Sequence, residues 1–122
     1  MTRPVWVLTS FSGSGGVEKL VSVLANGMAA AGREVHLALV KRRGPFAGAL
    51  DETVRVHELK AGSARLSVGA LAALMREHQP DTMLVAKERS LRLALAAQAR
   101  SGYPRRIVFQ INPHLSRSFA HR

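Results

Sequence analysis

Five short apolar segments, each followed by polar or glycine-rich residues, constrain the fold of this chain more than any other sequence feature. The first two, PVWVLT at residues 4–9 and VHLALV at residues 35–40, are apolar at most consecutive positions. Continuous apolar character is typical of parallel strands, because both of their faces are buried. Further strands are predicted at residues 53–59, 82–86 and 106–111. The segment at 53–59 partly alternates, which indicates a position near a sheet edge.

Segments with helical spacing lie between these strands. Apolar residues at 17–28 recur on one helical face. Ser67 is the predicted N-cap of a second helix that runs to Gln79, and a third helix is predicted over residues 90–100. The predicted inner face of the third helix consists of Leu91, Ala94 and Leu95. Strands alternating with helices imply βαβ units, so we expect one α/β domain with a Rossmann-like parallel sheet flanked by helices.

Length and composition fit a single folded domain. The chain has 122 residues, of which 47% are hydrophobic, and this fraction excludes a disordered chain. No apolar run is long enough to span a membrane, no signal peptide is recognisable and there is no cysteine, so a cytoplasmic protein is expected. The net charge of +10 has two explanations, a polyanionic partner or a codon bias toward arginine.

Polar and glycine residues follow the strands at what should be one edge of the sheet. Open parallel sheets bind ligands beyond the carboxyl ends of their strands, where backbone amides and cations could hold an anion. The candidate substrate- or phosphate-binding residues at this edge are Gly15, Gly16, Lys87, Arg89 and Asn112. Polar residues follow buried strands in any soluble protein, and that simpler explanation stays open.

The glycine-rich segment at residues 13–16 matches neither common nucleotide-binding motif. Lys19 lies three residues after Gly16, whereas a P-loop requires lysine directly after its last glycine. In the dinucleotide fingerprint that would begin at Gly13, the third glycine would fall at Glu18. ATP hydrolysis of the Walker type and NAD binding therefore lose support. What the segment still predicts is a helix N-terminus able to meet a phosphate or a sugar oxygen.

Four segments in order resemble a known enzyme family. They are GGVEK at residues 15–19, LA at 24–25, AGREVHL at 31–37 and QPD at 79–81. Together they are similar to the N-terminal domain of group 1 (family 4) glycosyltransferases, which have the two-domain GT-B fold. The resemblance implies that residues 1–122 are one acceptor-side domain, truncated at its C-terminus, of a retaining glycosyltransferase. Such an enzyme transfers a sugar from a nucleotide-sugar donor to a glycan or a lipid-linked acceptor.

The resemblance also implies that the donor's nucleotide is bound elsewhere. In this family the second domain holds it, usually through an E-x7-E motif, and no glutamate here is followed by glutamate eight positions later. We therefore expect the isolated chain to be inactive. The alternative function is a non-catalytic Rossmann-type domain that binds an anionic ligand.

Individual roles follow from the same comparison. His114 is the candidate catalytic residue, because related enzymes often place a cleft histidine after the fifth strand, although a surface histidine is an equal alternative. Lys87 and Arg89 could hold an acceptor phosphate, or they could equally form a solvated helix start. The segment at residues 41–43 is expected to be a charged loop or a contact to anionic lipid. No metal or cofactor is predicted, and no nucleic acid is expected as a partner. Association at the inner face of the membrane and a homodimer are further expectations.

Overall fold

The computed structural model describes residues 4–12, 16–43, 48–59 and 63–110, and these ranges form a sheet flanked by helices. In chain order the elements are β1 (Val5–Ser12), α1 (Gly16–Ala30), β2 (Val35–Arg43), β3 (Arg55–Glu58), α2 (Ala64–His78), β4 (Thr82–Ala86), α3 (Glu88–Ser101) and β5 (Arg106–Gln110). All strand pairings are parallel. The predicted Rossmann-like α/β fold is thereby confirmed.

The strand order is β3-β2-β1-β4-β5. The direction in which successive strands are added to the sheet therefore reverses once, between β3 and β4. The chain first builds outward from β1 through β2 to β3. It then returns through α2 and places β4 on the other side of β1, where Val7 pairs with Leu84. In open parallel sheets this reversal creates a crevice at the carboxyl ends of the two central strands, and ligands bind there.

The core has two layers because successive side chains of a strand point to opposite faces of the sheet. Val7 packs with Val21 of α1 on one face. Leu8, its neighbour in sequence, packs on the other face with Leu71 and Met75 of α2. Each of these side chains is at most 1% exposed. The continuous apolar character of β1 thus reflects burial on both faces, as expected for a central parallel strand.

Two details of the helices differ from the predictions. Helix α2 begins one turn earlier than expected, because Ser63 and not Ser67 is its N-cap: the Ser63 hydroxyl accepts a hydrogen bond from the Leu66 amide at 3.2 Å. Ser67 instead lies within the helix. Leu95 was predicted to face inward but is 50% exposed, because α3 packs through its small residues. These are Ser90, Ala94 and Ala97.

Strand β2 is longer than predicted. It continues through residues 41–43, which were expected to form a charged loop. The extension pairs with the end of β1, since Phe11 lies opposite Arg42 and Ser12 lies opposite Arg43. The pairing register shifts between Thr9 and Phe11. Cross-strand pairing therefore outweighs the low strand propensity of the basic residues, as tertiary context often does.

Candidate functional site

The candidate site lies where β1 and β4 end side by side. The reversal of strand order falls between these two strands, and α1 and α3 begin just beyond them. Of the predicted site residues, Gly16 is the first residue of α1, while Lys87 and Arg89 lie at the start of α3. The fold therefore brings Gly16 and Lys87 to the same edge of the sheet, as the sequence predicted.

Lys87 is held in place by two contacts. Its Nζ donates a hydrogen bond to the carbonyl oxygen of Ser10 at 2.6 Å. The same nitrogen is 3.5 Å from Oε2 of Glu18. Lys87 occupies the N-cap position of α3 with φ 76° and ψ 138°, a conformation that lysine rarely adopts, and its side chain makes no capping bond. Unusual backbone conformations of this kind cluster at functional sites, where the surrounding structure maintains them.

Glu18 is the buried partner in this arrangement. It lies in the first turn of α1 and is 4% exposed. A carboxylate in a first turn is favoured by the positive end of the helix dipole, and here it also faces the Lys87 ammonium. Sequence reasoning quoted this glutamate within the GGVEK segment but gave it no role. The contact joins residues far apart in the chain and is therefore invisible to local patterns.

Together these contacts connect three elements. Lys87 bonds the end of β1 through Ser10 and reaches the start of α1 through Glu18, while its backbone starts α3. A lysine ammonium has three N–H donors, and one of them bonds the Ser10 carbonyl oxygen. The side chain of Lys87 is 27% exposed and is therefore accessible at the edge of the sheet.

The other predicted cation behaves differently. Arg89 is exposed on α3. Oε1 of Glu88 lies 3.9 Å from Nη2 of Arg92, one turn further along the helix. Both side chains of that pair are largely exposed, so it contributes little to stability. Lys87 is thus the cation that the fold directs to the candidate site.

Three predicted residues lie outside the described part of the chain. These are Gly15, Asn112 and His114. Their assignment as ligand-binding or catalytic residues stays a prediction.

The described residues also form a cavity of about 630 Å³ at the opposite, amino end of the sheet. Its lining includes Val5, Leu84 and Val108 from the strands, with Arg33 and Arg105 among its polar residues. Val108 is 44% exposed. The volume of this cavity would suit a small ligand, but topology favours the edge that holds Lys87, because parallel sheets bind ligands at their carboxyl ends. We therefore assign the candidate site to the Lys87 edge.

No helix in the described ranges is both long enough and apolar enough to cross a bilayer.

Comparisons with known proteins bear on the fold. No protein-family model and no curated protein matches this sequence. A solved structure of the lipopolysaccharide outer core galactosyltransferase WaaB in its apo form is similar, with a TM-score of 0.60 and 15% sequence identity. The likeness covers 81% of this chain and 30% of that one. At this identity it shows the fold: the chain has the Rossmann-like architecture of one half of a GT-B glycosyltransferase.

Proposed function

We propose that the chain is the acceptor-binding N-terminal domain of a retaining glycosyltransferase, which moves a sugar from a nucleotide-sugar donor to a glycan or a lipid-linked acceptor. The observation that carries this proposal is the convergence of Lys87 and the start of α1 at the reversal between β1 and β4. The ordered sequence resemblance and the similarity to half of a GT-B enzyme agree with it.

The chemistry of this edge suits a diphosphate. The first amides of α1 have no partner within the helix and carry its positive dipole. The Lys87 ammonium lies beside them, its contacts with Ser10 and Glu18 fix its position, and the Glu18 carboxylate offsets part of its charge. A departing nucleoside diphosphate gains negative charge during sugar transfer, and preorganised donors stabilise such charge without rearrangement.

The donor's nucleotide would be held by another domain. The E-x7-E pattern is absent from this sequence, so the chain contributes the acceptor side and one wall of the diphosphate site. The isolated chain should then transfer no sugar and bind sugar nucleotides weakly.

An NMR titration of the chain with inorganic pyrophosphate tests the location of the anion site. We expect amide shifts at residues 16–19 and 87–90, and we expect Lys87→Met to abolish them. Arg89→Met, the matched control, removes a neighbouring exposed cation and should leave most of the response. Shifts centred on Arg33 and Arg105 at the amino end would contradict the assignment.

Calorimetry with UDP- and GDP-sugars distinguishes the two candidate functions. Weak or undetectable binding agrees with a domain that supplies the acceptor side. Micromolar 1:1 binding of a sugar nucleotide would show that this chain contains a complete donor site, and it would contradict the proposal that another domain holds the nucleotide. Micromolar binding of a simple anion, without preference for nucleotides, would favour the alternative of a non-catalytic anion-binding domain.

A further inference from the structure

A second cluster of titratable side chains lies away from the Lys87 edge, around the sole tryptophan of the chain. The indole of Trp6 on β1 stacks on the imidazole of His36 on β2, with ring centroids 4.3 Å apart and an interplanar angle of 7°. His57 on β3 stacks beside them at 5.3 Å from Trp6. His78 at the end of α2 contacts Trp6 at 5.0 Å with a tilt of 53°. We call these four residues the Trp6–histidine cluster.

A directed chain of hydrogen bonds runs through the cluster. Nε2 of His36 lies 2.6 Å from Oε2 of Glu34, and Nδ1 of His36 lies 2.9 Å from Nε2 of His57. A carboxylate only accepts hydrogen bonds, so His36 must carry its proton on Nε2. In the neutral ring Nδ1 is then an acceptor, and His57 must donate from Nε2. When both rings are neutral, these contacts fix the tautomers of both histidines.

This arrangement accommodates one additional proton but not two. When His36 becomes an imidazolium, its Nδ1–H can donate to His57 if the neutral His57 ring moves its own proton to Nδ1. When both rings are protonated, two N–H groups point at each other across 2.9 Å. The hydrogen bond is then lost, and two cations stand side by side in a partly buried site.

The surroundings of His57 oppose the second proton. Burial, followed by the proximity of His36 and His78, holds the pKa of His57 below its ordinary value of 6.5. Arg55 acts in the same direction and Glu77 acts against it. A lowered pKa means that the unfolded chain binds this proton more readily than the folded chain. The stability contributed by neutral His57 is complete above about pH 6.5 and is lost as the pH falls below that value.

Strand β3 lies at the edge of the sheet, so its strand pairing is confined to one neighbour. It has four residues and pairs with β2 alone, with Ala38 opposite His57. The described residues offer no group of three or more histidine, cysteine, aspartate or glutamate side chains arranged to hold a metal ion. The Trp6–histidine cluster links proton binding to the attachment of the edge strand β3.

We propose that the Trp6–histidine cluster is a pH-sensitive clamp, which fastens the edge strand β3 to β2 at neutral pH and releases it under mildly acidic conditions. The clamp is independent of the proposed sugar-transfer function. It works through groups on every element packed around it: Glu34 before β2, Arg55 on β3, and Glu77 and His78 on α2. Trp6 reports the event, since an imidazolium in ring contact quenches indole fluorescence.

Hydrogen exchange at about pH 7.5 and about pH 5.5, corrected for the intrinsic rate, tests the proposal directly. We expect the amides of Arg55–Glu58 to lose about tenfold in protection at the lower pH, the factor that corresponds to one lost hydrogen bond. Strand β5, the other edge of the sheet, has no histidine and serves as an internal control. Equal changes at β3 and β5, or no change at β3, would overturn the clamp.

Trp6 fluorescence across the same pH range tests which ring is responsible. His57→Gln keeps an N–H donor near the position of Nε2 but does not titrate, so the acid quenching step should shrink and β3 should stay protected. His78→Gln removes a like charge that lowers the pKa of His57, so the step should move to higher pH. If the fluorescence of both variants titrates like that of the wild type, the cluster does not control the transition. If His57→Gln fails to fold, the hydrogen-exchange data on the wild type still decide whether β3 is released.

Discussion

Replacing Lys87 by methionine should destabilise the domain far more than replacing any exposed cation. Methionine keeps the length of the side chain but removes its charge and its hydrogen bond to Ser10. Glu18, whose side chain is 5% exposed, then loses the cation that faces it. The backbone of residue 87 has a positive φ. Lysine and methionine are both strained in this conformation, so the strain cancels when the variant is compared with the wild type.

The magnitude follows from the geometry. At the observed 3.5 Å, two unit charges attract by about 5 kcal/mol at an effective dielectric constant of about 20. Breaking a fully buried pair costs about 3–5 kcal/mol. Because Lys87 is 27% exposed and partly solvated, we expect a loss of about 2–3 kcal/mol. For a chain of 122 residues, this corresponds to a decrease in Tm of roughly 8–12 °C.

Urea unfolding followed by far-UV circular dichroism measures the change, with Arg89→Met as the matched control. Arg89 is exposed, and its loss should change the free energy of unfolding by about 0.5 kcal/mol or less. A double-mutant cycle with Glu18→Gln should give a coupling energy of about 1–2 kcal/mol. If Lys87→Met is as stable as Arg89→Met, or if the coupling energy is zero, the contact has no energetic role and the argument for a preorganised site fails.

Two further pairs of substitutions test the helix ends and the glycines. Ser63→Ala should cost about 1 kcal/mol because it removes the N-cap bond to the Leu66 amide, whereas Ser67→Ala, within α2, should cost less; thermal melts showing the reverse order would restore Ser67 as the cap. Gly102→Ala should destabilise by about 1 kcal/mol, since Gly102 has φ 80°. Gly27→Ala should stabilise by up to about 1 kcal/mol, since an added Cβ meets open space within α1. Chemical denaturation compares the stabilities of the two glycine variants. Equal effects of the two substitutions would show that the positive φ of Gly102 does not decide the outcome.

Local sequence patterns predicted the elements better than their ends. The segment at 82–86 was predicted with the bounds that β4 has, because its apolar run stops at both sides. The second strand was predicted to end at residue 40, since three basic residues follow, yet pairing with β1 extends it to Arg43. Leu95 was assigned to the inner face by its spacing, but α3 packs through Ala94 and Ala97, where small side chains permit close approach.

The position of Lys87 was predicted, whereas its role as a ligand-binding residue stays a prediction. Lys87 was identified because it follows a buried strand, and the structure places it at the central crevice. Glu18 was missed as its partner, since 69 positions separate the two residues in the chain. The histidines around Trp6 were also missed, because their spacing in the sequence follows no ligand motif and only the sheet brings them together.

The sequence by itself determined that this chain forms alternating strands and helices in a parallel α/β sheet, because the period of the apolar residues decides which local structure can be buried. It also predicted that Gly16 and Lys87 would lie at the carboxyl ends of the strands, where the structure places them. Only the tertiary structure decided that β4 lies beside β1, and therefore which strand ends form the crevice. Strand order, the Lys87–Glu18 contact and the Trp6–histidine cluster all join distant parts of the chain, and the free energy of such contacts depends on packing that no local pattern records.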